Sequence, residues 1–366
     1  MKIAMLGTRG VPASYSGFET CVEQLGARLV ERGHEVLVYC RTHHITYPEP
    51  TYRGMRLIKR STIANKYFDT IVHSLVSSVD VLPHRVDIAL YFIAGNSPVT
   101  WIPRLAGAKT ILNVDGLDWK REKWPPLAKR YIQLAEAMAK YLPDAIVTDS
   151  RVVQQYYRDH YGAASTYIAY GSDVEPLPPG PYLAQFGLAP RRYILFVGRL
   201  VPENCAHHLV EAFNGLGTDF KCVIVGDAPY ADEYKAQLRG LAGPNVILTG
   251  YLFGEGYREL NSNAYAFVET SGVGGTHPAL LEAMAFGNCV IANNTPENLE
   301  TMGPAGLNYD ARFGANALRV RLAEVLARPA TVEDYRRRAR AWVYQNYSWD
   351  HVTDEYEALF RALLGR

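Results

Sequence analysis

Long hydrophobic runs are absent from this sequence. No stretch approaches the roughly 18 consecutive apolar residues that a membrane-spanning helix requires. The N-terminal segment MKIAMLGTRG holds only a short apolar run, which a glycine turn follows, so we expect no signal peptide. We therefore expect a cytoplasmic protein that can lie against the cytoplasmic face of a membrane without crossing it.

Cysteine is scarce, and neither sign of charge is in excess. The five cysteines are scattered and form no CxxC pair, which predicts reduced thiols and argues against a metal site built from them. The 38 lysine and arginine residues nearly balance the 37 aspartate and glutamate residues, so the formal net charge is +1. Without a global positive field, a nucleic-acid partner is not expected.

Short apolar runs alternate with longer helix-like segments through most of the chain. At 366 residues the chain is too long for one ordinary core and about right for two α/β domains. The runs predict two sets of buried parallel strands, at 2–6, 35–40, 86–92, 109–114 and 145–148, then at 193–197, 222–225, 246–248, 266–269 and 290–292. Between the sets, GSDVEPLPPGP contains four prolines and predicts a stiff linker. We therefore expect one domain at 1–172 and a second at 173–344.

An arginine follows the first strand of the second set, in the segment VGRLVPEN. A guanidinium group just beyond a strand end is well placed to clamp a diphosphate with two hydrogen bonds. This context predicts that Arg199 binds a diphosphate. The alternative is an ordinary surface ion pair.

A glycine-rich loop that runs into an apolar helix is the most specific motif, GGTHPALLEAMAFG at 274–287. Pro278 suits the first turn of a helix, and free backbone amides at such a start would face a diphosphate. Glu282 lies about one turn further in, flanked by leucine and alanine, and is suited to ribose hydroxyl groups. The alternative is an exposed helical glutamate.

Two further candidates follow strands of the first set. The loop GTRG at 7–10 leads to a helix that opens at Phe18-Glu19-Thr20. Such a loop lines a cleft and contacts an acceptor or the phosphates of a donor, or it is only a sharp strand-to-helix connection. Asp115 stands just beyond the strand at 109–114, where it would act as a base or orient an acceptor hydroxyl, or it is a turn residue before Gly116.

Basic residues and tryptophans are mixed in the segment NVDGLDWKREKW at 113–124. This mixture suits an anionic lipid surface or a pyrophosphate-bearing lipid acceptor, and the alternative is the solvated basic end of an ordinary helix. In the helix that Pro125 opens, apolar residues recur at helical spacing, and we expect their face to pack in the core. These residues are Leu127, Tyr131, Leu134, Met138 and Leu142.

Together these motifs resemble the retaining GT-B glycosyltransferases of family 4. GRLVPEN, the glycine loop running into LLEAMAFG, and NCVIANN carry the resemblance in the second half. IAMLGTRGVPASYSGFET and NVDGLDWKREKW are similar to the bacterial rhamnosyltransferase-like branch of that family. The resemblance covers essentially the whole chain. It implies two Rossmann-like domains facing across a cleft, with a final helix at 345–366 that crosses back to the N-terminal domain.

The resemblance also implies roles for individual residues. The C-terminal domain would hold a nucleotide sugar, with Arg199 on the diphosphate and Glu282 on the ribose, and these two residues with Asp115 form the predicted catalytic set. The predicted donor-binding residues are Gly10, Arg199, Asn204, Gly275, Thr276, His277 and Glu282. The predicted acceptor or membrane-side residues are Arg9, Glu19, Asp118, Trp119, Lys120, Arg121 and Trp124. No metal or other cofactor is expected, because positive groups and helix dipoles stabilise the leaving diphosphate.

Two positions depart from the pattern of the wider family. The family places a lysine five positions after the arginine, where this chain has Asn204, and a glutamate eight positions before the second glutamate, where it has Gly274. We interpret both as a trait of the rhamnosyltransferase-like branch. Arg199, the loop amides and Arg9 would then provide more of the binding to the phosphates. His277 or Thr276 would recognise the donor sugar.

The resemblance thus predicts a retaining transferase that moves a hexose, with rhamnose from dTDP-rhamnose as first choice. The expected acceptor is a saccharide, free or linked to a lipid pyrophosphate, in the synthesis of a cell-surface polysaccharide. One alternative is a nucleotide-sugar epimerase or hydrolase of the same fold, because a fold does not fix the chemistry. Another is a nucleotide-sugar-binding protein without turnover, which Asn204 and Gly274 favour.

Overall fold

A computed structural model describes residues 1–13, 17–65, 68–114, 116–120, 124–229, 231–273 and 276–366. The chain divides into two compact units. The first unit contains Met1–Gly171 together with Trp349–Arg366, and the second contains Ser172–Ser348. In the part of the chain that the structure describes, no helix is both long and apolar enough to cross a membrane.

The first unit is built on an eight-stranded sheet with the order β3-β4-β2-β1-β5-β6-β7-β8. Its strands are β1 (Lys2–Leu6), β2 (Glu35–Arg41), β3 (Thr51–Tyr52), β4 (Met55–Arg60), β5 (Ile88–Phe92), β6 (Lys109–Val114), β7 (Ala145–Thr148) and β8 (Thr166–Tyr167). All neighbouring pairs are parallel except β3 and β4. The helices are α1 (Gly17–Glu31), α2 (Asp69–Asp80), α3 (Pro126–Met138), α4 (Arg151–Tyr161) and the chain's last helix, α13 (Trp349–Leu364).

The second unit carries a six-stranded, fully parallel sheet with the order β11-β10-β9-β12-β13-β14. The strands are β9 (Tyr193–Val197), β10 (Lys221–Val225), β11 (Val246–Gly250), β12 (Ala266–Glu269), β13 (Cys289–Asn293) and β14 (Leu307–Tyr309). The helices are α5 (Pro181–Gln185), α6 (Ala206–Asn214), α7 (Asp232–Leu241), α8 (Gly254–Asn263), α9 (Pro278–Ala285), α10 (Pro296–Met302), α11 (Gly314–Ala327) and α12 (Pro329–Asn346). Each sheet is a doubly wound Rossmann-like sheet, so the predicted fold class is confirmed.

The last helix returns to the first unit and packs against α1. Arg32 of the segment after α1 donates to Asp354 at 2.6 Å and to Glu357 at 2.8 Å. The Nε2 atom of His34 lies 2.6 Å from the same Glu357 carboxylate. In the core, Asn113 donates to the hydroxyl of Tyr356 at 2.5 Å. Polar contacts therefore tie the C-terminal helix to both the surface and the interior of the first unit.

Two helices of the first unit turn apolar side chains outward. In α2 the buried side chains are polar, His73, Ser74, Ser77 and Ser78, whereas Leu75 and Val79 are 46% and 53% exposed. In α3, Leu127 and Leu134 are 80% and 60% exposed, and the prediction that their face lies in the core is wrong. Helical spacing reveals an apolar stripe but not its partner, and in α3 the side packed inward carries Ile132 and Ala135 instead.

Candidate functional site

The strand order of the second unit reverses between β9 and β12. From β9 the chain builds β10 and β11 on one side, and it then returns to build β12, β13 and β14 on the other. In open α/β sheets, ligands bind beyond the carboxyl ends of the strands at such a reversal. The loop after β9 carries Arg199, and the loop after β12 leads into α9 at Pro278. The two most specific sequence motifs therefore meet the same edge of the same sheet.

Arg199 is half-buried just beyond the end of β9. Its guanidinium group makes no ion pair or hydrogen bond with any residue that the structure describes. The backbone around it is tightly packed, since a Cβ atom on Gly226, which has a φ of +143°, would lie 1.9 Å from the carbonyl oxygen of Gly198. A fixed backbone that presents an uncompensated cation is suited to an anionic ligand.

Asn204 joins the loop of Arg199 to the loop after β12. Its Nδ2 atom donates to the carbonyl oxygen of Arg199 at 2.9 Å, and its Oδ1 atom accepts from the hydroxyl of Ser271 at 3.1 Å. Thr270 donates its hydroxyl to the backbone carbonyl of Asn204 at 2.5 Å. Both polar atoms of the Asn204 side chain thus bond within the protein. Its contact with a donor stays a prediction, and its observed contacts tie the backbone of Arg199 to the loop after β12.

The start of α9 is held by a histidine and an asparagine. His277 is the N-cap residue, and Pro278 occupies the first turn. The Nδ1 atom of His277 lies 2.8 Å from Oδ1 of Asn298, whose Nδ2 atom donates to the carbonyl oxygen of Asn293 at 3.0 Å. Because Oδ1 must then be an acceptor, Nδ1 of His277 carries a hydrogen and Nε2 is left for another partner. Thr276 is buried beside it, and the predicted Gly275 lies outside the described residues.

Glu282 is not an exposed helical glutamate. It is half-buried one turn inside α9, and the hydroxyl of Tyr257 donates to its Oε2 atom. Burial raises the pKa of the Glu282 carboxyl, and the bond from Tyr257 opposes that rise. Burial and the neighbouring Glu282 carboxylate raise the pKa of Tyr257 well above its usual value, so the phenol remains a donor. The arrangement leaves Oε1 of Glu282 as an oriented acceptor in a poorly solvated place.

In the first unit, the loop after β1 is pinned by its own neighbours. The buried Glu19 accepts a hydrogen bond from the backbone N–H of Arg9 at 3.1 Å. Gly10 has a φ of +109°, and a Cβ atom there would lie 2.5 Å from the sulfur of Cys40. Gly10 therefore allows a close approach to β2. Gly10, Arg9 and Glu19 lie together, whereas the other predicted donor-binding residues belong to the second unit.

The basic and aromatic segment forms a short 3₁₀ turn over Asp118–Lys120. Lys120 is exposed, and its ammonium group lies 5.8 Å from the ring centroid of Trp119. Trp124 is half-buried. The predicted residues Asp115 and Arg121 lie outside the described residues.

Several partners were not predicted from the sequence. Tyr257 and Asn298 stand 25 and 21 residues from the side chains that they contact, and neither belongs to a recognisable motif. A further cluster joins His43 and His44 to Asp69, with the Nε2 atoms 3.6 and 3.3 Å from the Oδ2 atom. This cluster has ligands that could hold a metal ion, but the same oxygen is paired with Arg41 at 2.8 Å. Only the adjacent histidine pair could have been noticed in the sequence.

Comparison with known proteins agrees with this architecture. Residues 1–173 match a domain of unknown function, DUF1972, and residues 184–342 match the family described as glycosyl transferases group 1. The alpha-maltose-1-phosphate synthase of Mycolicibacterium smegmatis is 26% identical over 99% of this chain and 100% of its own length. The O-antigen chain mannosyltransferase B of Escherichia coli is 27% identical over 54% of each chain.

A solved structure shares the whole fold. HepE from Anabaena, determined in complex with UDP-glucose, superposes with a TM-score of 0.81 at 15% identity and covers 99% of this chain and 100% of its own. At that identity the likeness establishes the fold alone. The relatives and the matching domain at 184–342 support a glycosyltransferase, and the two Rossmann-like sheets give this chain the GT-B fold.

Proposed function

We propose that this protein is a retaining transferase that moves a hexose from a nucleoside diphosphate sugar to a saccharide acceptor. The observation that carries the proposal is Arg199, a half-buried cation that has no partner among the described residues, at the strand reversal that α9 and Glu282 also meet. A bound diphosphate would balance the positive charge of Arg199, and the backbone N–H groups at the N-terminus of α9 favour the same anion. Glu282 would then accept hydrogen bonds from the ribose.

The proposed reaction requires little acid–base chemistry from the protein. The acceptor oxygen bonds to the anomeric carbon on the face from which the phosphate oxygen departs, and the departing phosphate takes the acceptor proton. Arg199 and the α9 amides stabilise the negative charge that develops on the diphosphate, so no metal ion is required for this step. Asp115 would orient the acceptor hydroxyl for this attack.

The donor that we propose first is dTDP-rhamnose, from the resemblance of IAMLGTRGVPASYSGFET and NVDGLDWKREKW to the rhamnosyltransferase-like branch. UDP-glucose is the natural comparator, since HepE was crystallised with it. The acceptor that we propose is a saccharide, free or carried on a lipid pyrophosphate, in the synthesis of a cell-surface polysaccharide. The name of the O-antigen mannosyltransferase relative supports that setting.

A thermal-shift screen with dTDP-rhamnose, UDP-glucose and GDP-mannose tests the donor class. We expect one of these compounds to raise Tm, because a ligand at about 100 times its Kd adds about 2.7 kcal/mol to the stability of the native state. The same compound should release its nucleoside diphosphate rapidly only when an acceptor saccharide is present. Equal turnover without acceptor would indicate an epimerase or hydrolase instead, and binding without transfer to any acceptor would indicate a non-catalytic protein.

We also propose that the first unit lies against an anionic membrane surface. The outward apolar residues of α2 and α3, including Leu75, Val79, Leu127 and Leu134, would enter the lipid headgroup region. The exposed Arg130 and Lys120 would pair with anionic headgroups.

Vesicle co-sedimentation tests this membrane contact. We expect the double variant Leu127→Ser/Leu134→Ser to bind phosphatidylglycerol-containing vesicles about 30-fold more weakly, because each leucine loses on the order of 1 kcal/mol of apolar burial. The control is Phe313→Ser in the second unit, an exposed apolar residue outside these helices. Equal loss in both variants, or binding to neutral phosphatidylcholine vesicles alone, would contradict the proposal.

A further inference from the structure

A cavity of about 550 Å³ in the second unit is lined by four arginines, Arg191, Arg336, Arg337 and Arg340. Arg191 lies two residues before the start of β9, and the main-chain carbonyls that it and Arg336 contact precede β12. The cavity therefore lies at the amino ends of the strands, at the opposite edge of the sheet from Arg199. It belongs to no part of the candidate functional site.

Among the described residues, the lining of this cavity carries an excess of positive charge. Glu333 is the single carboxylate in its lining, so the formal charge of the four guanidinium groups and this carboxylate is +3. The side chain of Glu333 is 65% exposed and stands 3.6 Å from Nε of Arg336. Arg337 reaches Asp334 at 3.2 Å, an exposed pair that is strongly screened by water. A chain with a net charge of only +1 thus concentrates positive charge at one place.

Two of the arginines share one acceptor inside the cavity wall. The Nη1 atoms of Arg191 and Arg336 donate to the carbonyl oxygen of Ala264 at 2.6 and 2.9 Å. Burial, followed by the like charge of Arg191, lowers the pKa of Arg336 to about 10. Arg191 also holds a φ of +61°, a conformation that is strained for a non-glycine residue. Two guanidinium cations held this close repel each other, and an anion bound between them would relieve that repulsion.

A purely structural role accounts for only part of this arrangement. Support of the Ala264 carbonyl explains one N–H group of each buried arginine. It does not explain Arg337 and Arg340, which lie exposed at the mouth of the same cavity. The guanidinium of Arg340 lies 5.5 Å from the ring centroid of Tyr344, which is half exposed and adds an aromatic face to the lining.

We propose that this cavity binds a phosphate-bearing small molecule, a nucleotide or a sugar phosphate, as a second ligand site. Guanidinium groups pair with phosphate oxygens through two parallel hydrogen bonds, and the volume falls within the usual range for small-molecule sites. The ring of Tyr344 can pack against a base or a sugar. Phe286 and Gly287, at the far end of α9 from His277, also line the cavity. A bound ligand therefore touches the opposite end of the helix that starts at the candidate functional site, about 12 Å away by the helical rise.

Calorimetric titration of inorganic pyrophosphate into the full chain tests the cavity. The background variant Arg199→Ala removes the expected donor clamp, so the remaining binding reports on the second site. In this background we expect Arg337→Ala/Arg340→Ala to weaken pyrophosphate binding at least about tenfold, because hydrogen bonds between guanidinium groups and phosphate oxygens are among the strong ones. The matched control is Arg319→Ala, an exposed arginine of α11 outside the cavity. Repeating the titration with UDP and with glucose 1-phosphate distinguishes a nucleotide from a sugar phosphate.

Two results would overturn the second site. One is the absence of pyrophosphate binding in the Arg199→Ala background, and the other is equal binding in the cavity variant and the Arg319→Ala control. Both cavity positions are exposed, so the variants should fold, and circular dichroism and Tm verify this. The titration needs neither a sugar donor nor an acceptor, and its outcome is therefore independent of the proposed transferase reaction.

Discussion

Replacing Arg199 with alanine should reduce kcat/KM for sugar transfer by about 100- to 1000-fold. The guanidinium is the cation at the strand reversal without a partner among the described residues, so its removal leaves the donor diphosphate without its main counter-charge. Loss of a preorganised donor of positive charge at a developing anion typically costs about 3–4 kcal/mol. Because that charge grows in the transition state, kcat should fall while KM rises. Steady-state kinetics with the donor found by thermal shift measures both.

Arg192→Ala provides the matched control. Arg192 lies next to the amino end of β9, whereas Arg199 follows its carboxyl end. Arg192 is an exposed residue that pairs with Asp219 and lies 4.3 Å from the ring centroid of Phe220. Its loss should leave both kinetic constants within about twofold, since exposed ion pairs contribute little. If the two variants have equal kinetic constants and an unchanged Tm, Arg199 does not take part in binding the donor.

The second large effect is expected for Glu282→Ala. This variant removes the half-buried acceptor proposed to bind the ribose hydroxyls, and each bond to a charged group is worth about 1.5–3 kcal/mol. We expect KM for the donor to rise about 10- to 100-fold. Since the ribose does not change during the reaction, this binding energy is the same in the ground and transition states, and kcat should change little. The split between KM and kcat therefore separates Glu282 from Arg199.

Two further variants serve as references for the change in KM. Tyr257→Phe keeps the Glu282 carboxylate but removes its hydroxyl donor, so we expect a smaller rise in KM. Glu324→Ala on α11 removes an exposed glutamate and should change neither constant. If Glu282→Ala lowers Tm but leaves KM unaltered, the carboxylate serves the packing of α9 against Tyr257 and not the donor.

The contrast between β1 and β4 shows which elements could be predicted. The strands β1 and β9 have the predicted bounds because each is a short, continuous apolar run that is buried on both faces. The strand β4, with the sequence MRLIKR, was missed because its outward positions carry charges that interrupt the run. The outward face of α3 was also wrongly predicted, because the same apolar periodicity results whether the stripe packs in a core or stays exposed.

The sequence alone determined the two Rossmann-like units and placed Arg199 and Glu282 in them. These features depend on hydrophobic periodicity and on the residue types that start or end helices. Both signals can be recognised within short segments of the sequence. Only the tertiary structure decided that Tyr257 holds Glu282, that Asn204 braces Arg199 and that Arg191 shares a cavity with three arginines of α12. These contacts join segments that are distant along the chain. Which side chains meet depends on how the helices pack against the sheet, and no local sequence pattern specifies that packing.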